Sequence, residues 1–296
     1  MKTLRTLIVL FMAFALVYSC KSNNGNEQQK SDKSAKTDSA RLVSKWSTDS
    51  VLMIPESVCY DASNDVLYVS NIQGNSNEKD GKGFISKLSP KGEMLELKWV
   101  TGLDAPKGMG VYKGKLYVTN IDELVEIDIE QGKINKRYPL EGAQFANDIA
   151  INKKGMVFIS GMSTGRVYRF QGESAEIWIE SEKLNRPNGL YTTKKNLMIG
   201  TNGFVYKVDY ESGELQEYIT NTGGIDGLEE VGDGYFIKSD WAGHIHLIHP
   251  EKEKQLLLNT ADDNINAADI DFVQQTNMLY VPTFMDNRVM AYKLEK

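Results

Sequence analysis

The chain has 296 residues, with 34 Lys and Arg against 40 Asp and Glu, so its formal charge is −6. That balance argues against nucleic acid as a partner, because phosphate backbones are held by basic surface. Cys20 and Cys59 are the only cysteines, too few for a disulfide framework.

Lys2 and Arg5 precede an apolar run over residues 7–18 that stops at Ser19 and Cys20. About a dozen apolar residues are too few to cross a hydrocarbon core as a helix, so residues 1–19 read as a signal peptide. The stretch Leu16-Val17-Tyr18-Ser19-Cys20 resembles the lipobox of bacterial lipoproteins, which implies that Cys20 is acylated and becomes the first residue. The expected location is the bacterial cell envelope, periplasmic or outer surface, with the membrane touched through the lipid anchor alone. Loss of residues 1–19 leaves 32 basic against 40 acidic side chains. Residues 20–40 are nearly all Lys, Ser, Asn, Gln, Asp and Glu, and read as a disordered tether.

Residues 41–296 repeat. A short apolar strand with a polar or small lead-in begins at Glu56, Lys107, Asn147, Asn188, Asp226 and Ala268, at intervals of 51, 40, 41, 38 and 42 residues. A second strand follows each, at 67–69, 116–118, 157–159, 197–199, 235–237 and 279–281. Third strands follow at 84–88, 124–128, 166–170, 204–208, 244–248 and 288–292. Short strands repeated near 40 residues match a blade of four antiparallel strands, and sustained helical periodicity is lacking. The predicted fold is therefore all-β, a six-bladed β-propeller. The long first interval reflects a polar, glycine-rich insertion at 71–83 in blade one. The chain ends after the third strand of blade six, and residues 42–48 can supply the missing outer strand, closing the ring and covering an exposed edge. Truncation past Trp46 is expected to destabilise the whole domain.

In a propeller, the residues just before the innermost strands converge on the central channel. Here that column reads Glu56, Lys107, Asn147, Asn188, Asp226 and Ala268. Two carboxylates and two carboxamides on one axis suit a hard divalent cation. Asn-Gly and Asp-Gly are also common turn dipeptides that tolerate positive φ, which is the plainer reading of any one of them. Lys107 can point away, pair with Glu56 or Asp226, or replace the ion. The loops after the second strands carry Asn71, Asn120, Asn202, Trp241 and Phe284, which can wall a pocket above the ring, or the aromatics can pack between blades. His244, His246 and His249 have a zinc-like look, but a strand puts residue 249 off the face shared by the other two.

The order and spacing of Pro55-Glu56-Ser57 with Asn64-Asp65-Val66-Leu67-Tyr68-Val69, Phe145-Ala146-Asn147-Asp148, Pro187-Asn188-Gly189-Leu190 and Ile225-Asp226-Gly227-Leu228 resemble the regucalcin, gluconolactonase and luciferin-regenerating-enzyme family. The resemblance implies a six-bladed propeller in which Glu56, Asn188 and Asp226 hold one divalent ion, with Asn147 a ligand or substrate contact. It further implies a metal-dependent lactonase with Asp226 as the catalytic base. A lactone or sugar derivative above the ring would be faced by Lys107, Asn147, Asn120, Asn202 and Trp241, and a monomer is expected. Calcium is the expected ion, with zinc or magnesium as alternatives. Phe145 departs from the family, whose lactonases often carry arginine two residues before the matching asparagine. The rival expectation is a non-catalytic propeller resembling NHL-repeat proteins that binds a ligand or a partner protein.

Overall fold

Period-two alternation builds the strands of the computed structural model, which describes Ser39–Lys296. Within each blade the middle strands bury both faces, as in Val66–Asn71, while outer strands such as Lys133–Pro139 keep a wet face. Val, Ile, Leu and Tyr dominate the buried strands because branched and aromatic side chains fill a pleated surface from both sides. Six four-stranded antiparallel sheets result, at 55–103, 106–139, 146–180, 190–220, 228–259 and 271–295, the last completed by Arg41–Ser47.

The core lies between blades. Tyr68, Ile85, Val100 and Leu103 of blade one pack on Met109, Leu116, Val118 and Val125 of blade two. Val58, Leu67 and Val69 meet Val273, Tyr280 and Val289 of blade six across the closing joint. Truncating a fully buried Leu67 to alanine there should cost about 2–5 kcal/mol.

Closure is as the repeat pattern predicts. Arg41–Ser47 runs antiparallel to Val289–Glu295, pairing Arg41 with Glu295 and Ser47 with Met290. The Trp46 indole donates to the Pro90 carbonyl (3.1 Å) and packs near Tyr280, so the first strand also ties blade six to blade one. The expected signal peptide, Cys20 and most of the expected tether lie outside the described residues. Ala40, at the end of that expected tether, accepts a hydrogen bond from Gln255 at 2.7 Å. Among the described residues no helix is long and apolar enough to cross a membrane.

Candidate functional site

The column of six residues is aimed at the axis by breaks in the inner ladders. In blades one to three the register shifts between Pro55 and Ser57, between Pro106 and Met109, and between Ala146 and Ile149. Glu56, Lys107 and Asn147 sit in those irregularities, where a strand loses its alternation and a side chain is redirected. In blades four and five the inner strands begin later, at Leu190 and Leu228, and Asn188 and Asp226 are held by bonds from their N–H groups to the Gly200 and Ser239 carbonyls. Hydroxyls on the second strands finish the mount. Ser70, Ser160 and Ser239 accept from the N–H groups of Ser57, Asp148 and Gly227 at 3.0, 2.9 and 2.8 Å.

Glu56, Asn147, Asn188 and Asp226 come together at one end of the channel, and all four are buried. The Asn188 amide donates to Asp226 Oδ1 at 2.8 Å. Three further oxygens, Glu56 Oε2, Asn147 Oδ1 and Asn188 Oδ1, are buried without any hydrogen-bond partner. Orphaned buried acceptors are rare, and each costs about 1–3 kcal/mol unless something is bound there. Burial pushes Asp226 up to about 7, with the Asn188 amide pulling it down and Asp240 pushing it further up. Burial and the Asp226 carboxylate likewise raise Glu56 well above the usual carboxylate range, against the pull of Lys107. Lone-pair oxygens without donors and carboxylates short of positive charge fit an oxygen-seeking divalent cation. Two of the four donors are carboxamides, and among the described residues no three His, Cys, Asp or Glu side chains form a metal-binding group.

Lys107 makes no ion pair with Glu56 or Asp226. Its ammonium donates to the carbonyls of Ser76 and Ala105, both at 2.9 Å, and sits 4.5 Å from the Phe145 ring centre. It is 1% exposed, and burial lowers its pKa to about 8 although Glu56 favours the charge. Its bond to Ser76 pins the blade-one insertion beside the channel mouth. One of its three N–H groups is left uncommitted.

The ring forms the floor of a cavity of about 440 Å³, walled by loop residues from five blades. Asn202, Trp241 and Phe284 line it as expected, the last two edge to face with centroids 5.6 Å apart. Asn120 does not belong to it. That side chain is fully buried, accepts from the N–H groups of Asp104 and Ala105, and donates to Glu123 and Asp104. Asn71 is spent in the same way, on Met53, Val69 and Ser86. The three histidines are no cluster: His244 meets Asp240 at 3.1 Å, and His249 packs on Tyr235.

One residue further along each inner strand, a second column reads Ser57, Gly108, Asp148, Gly189, Gly227 and Asp269. Its three glycines have ordinary φ, so they are not turn glycines. They are required by contact, since a Cβ on Gly108 would stand 2.5 Å from Asp148 Cα and one on Gly227 2.5 Å from Ile270 N. The acids are latches. Asp148 accepts from the N–H groups of Ile149 and Leu190, each at 2.6 Å, and Asp269 accepts from the Ser57 hydroxyl at 2.6 Å.

Sequence reasoning missed Arg186 and Asp240, which also face the cavity. Arg186 lies two residues before Asn188, as Phe145 lies two before Asn147, so the arginine expected ahead of one ring asparagine stands ahead of the next. It is exposed, and its φ of 54° turns the chain at the cavity wall. Asp240 is held below the usual carboxylate range by the Lys238 ammonium and the His244 N–H and ring, against its partial burial.

No family model matches the chain, and no curated protein matches it. Solved structures do. A gluconolactonase from Xanthomonas campestris is 16% identical, with a TM-score of 0.62 over 86% of this chain and 90% of its own. A structure described as a putative gluconolactonase is 15% identical, with a TM-score of 0.63 over 86% and 92%. An inactive variant of virginiamycin B lyase from Staphylococcus aureus, solved with quinupristin, is 13% identical, with a TM-score of 0.59 over 87% and 99%. At such identities the likeness is one of fold: the chain is a six-bladed β-propeller, similar in fold to these gluconolactonases and to this virginiamycin B lyase.

Proposed function

We propose that this protein is a metal-dependent hydrolase of a lactone or related ester, working at the cell envelope behind a lipid anchor on Cys20. The observation that carries this reading is the set of partnerless oxygens on Glu56, Asn147 and Asn188, buried beside Asp226 at the floor of an open cavity. Glu56, Asn188 and Asp226 would hold the ion, calcium first by donor type, with Asn147 completing the set or touching substrate. Such an ion polarises an ester carbonyl and acidifies water. Asp226, kept ionised beside the bound cation, would take the proton of the attacking water. The uncommitted Lys107 N–H can orient an oxygen of the substrate, and Arg186 offers a second cation on the wall.

Calorimetric titration of calcium into chelator-treated protein, followed by a screen of lactones and esters, tests the proposal. Saturable one-to-one binding, lost in Asp226→Ala together with hydrolysis, is expected. A folded wild type that takes up no divalent ion, or hydrolysis that survives in Asp226→Ala, contradicts it. The second reading, a non-catalytic binding propeller, draws on the burial of the Lys107 ammonium among carbonyls beside the ring. It predicts a domain indifferent to metal.

A further inference from the structure

The walls above the ring differ in character from the floor. Phe145 and Met162 face the cavity from blade three, Ile225 and Trp241 from blade five, Phe284 from blade six and Ile72 from the blade-one insertion. A polyhydroxylated ring needs hydrogen-bond partners around its whole rim, because each hydroxyl left unpaired in a closed site forfeits its bonds to water. The polar side chains of the wall stand mainly on blade four, as Arg186 and Asn202, and the Asp240 carboxylate of blade five is already bonded to Lys238 and His244. Two of the three Lys107 N–H groups are already committed, and both the Asn120 and the Asn71 amides are turned into the fold. Aromatic surface, in contrast, is abundant and fixed in place. Phe145 carries the Lys107 ammonium on its ring. Trp241 stands edge to face with Phe284, at an interplanar angle of 78°, yet remains 51% exposed. A large aromatic left half in water, beside a second one and at the mouth of a cavity, is a surface waiting for a flat apolar group.

We infer that the substrate carries an aromatic ring, which lodges against Trp241 and Phe284 while its ester or lactone carbonyl reaches the floor formed by Glu56, Asn147, Asn188 and Asp226. The inference rests on the hydrolase reading for the word substrate, but the ring-binding wall stands apart from the ion site. An aryl group is favoured over a sugar on the side of the cavity formed by Trp241, Phe284 and Ile72, since the free polar side chains Arg186 and Asn202 stand on blade four. It is favoured over a flexible alkyl chain by the half-exposed Trp241 ring braced by Phe284, which rewards a rigid ring with contact at little entropic cost.

The test separates the two layers. Hydrolysis of a benzo-fused six-membered lactone, glucono-δ-lactone and an aliphatic δ-lactone of equal carbon number is compared on calcium-loaded wild type, Trp241→Ala and Trp241→Phe. Binding of the uncleavable benzo-fused lactam is followed by calorimetry on the same proteins. The benzo-fused lactone should be preferred over both others. Trp241→Ala should weaken its KM and the lactam Kd about tenfold, and Trp241→Phe should restore most of the loss. Preference for the sugar or aliphatic lactone, or lactam binding indifferent to Trp241→Ala, overturns the inference. Lactam binding that depends on Trp241, without hydrolysis of any lactone, supports the aromatic site and overturns the hydrolase reading instead.

Discussion

Two adjacent columns of the same six inner strands carry acids into the same channel, and they do opposite things with them. In the upper column, Glu56, Asn147 and Asn188 each leave an oxygen buried and partnerless over an open cavity. In the lower column, Asp148 and Asp269 spend theirs on backbone N–H groups and on Ser57, and the positions between them are glycines through which neighbouring blades touch. Chemical type does not separate the two columns, since each holds two buried carboxyl groups with raised pKa values, Glu56 and Asp226 above and Asp148 and Asp269 below. Satisfaction does. A polar atom that the fold has already paired maintains the structure, and one left unpaired beside an open cavity is free to take a ligand.

The comparison is sharpened most by substitutions that should split stability from binding. Gly227→Ala, in the lower column, drives a methyl into the Ile270 backbone and is expected to cost about 3 kcal/mol of unfolding free energy, read from the denaturant midpoint. Asn188→Ala, in the upper column, should lower calcium affinity at least about 100-fold by calorimetry while changing stability by less than about 1 kcal/mol. Asp148→Ala reverses that pattern. It strands the N–H groups of Ile149 and Leu190 and should cost about 2 kcal/mol, with saturable calcium binding retained.

A smaller effect concerns pH. Asp271, at the far end of the channel from the ring, accepts from the Tyr60 N–H at 2.5 Å, but burial still raises its carboxyl from 3.8 to about 6. The folded state therefore binds this proton more tightly than the unfolded state. The associated stability is complete below about pH 4 and is lost as pH rises through about 6. Asp271→Asn should accordingly gain on the order of 1–2 kcal/mol at pH 7.5 and little at pH 4, in chelator, by denaturant melts. A gain of equal size at both pH values would break the link to titration.

The sequence made the architecture legible because a blade is local. Each hairpin writes its own alternation and turn, and six copies reinforce one another, so even the closing strand around Trp46 could be placed from a missing partner in blade six. The upper column was legible for the same reason. The local irregularities that aim Glu56, Lys107 and Asn147 were not, because register depends on the partner strand and not on the strand itself. Asn120 was misplaced through loop length. Its hairpin turns in two residues, so Asn120 stays in the ladder opposite Pro106 and Glu123 and cannot reach the cavity. Arg186 was overlooked although its signal was present, two positions ahead of Asn188. Reading the glycines as turn residues missed their cause, which is contact with a blade some 40 residues away.

The most direct test is the calcium-induced rise in thermal midpoint, measured side by side for wild type, Asn188→Ala and Asp148→Ala, since a ligand bound only to the folded state stabilises it. The account predicts a rise for wild type, none for Asn188→Ala, and a rise of similar size from a lower baseline for Asp148→Ala. No rise in wild type, or a rise abolished equally by both substitutions, would contradict the division of the channel into a binding column and a structural one.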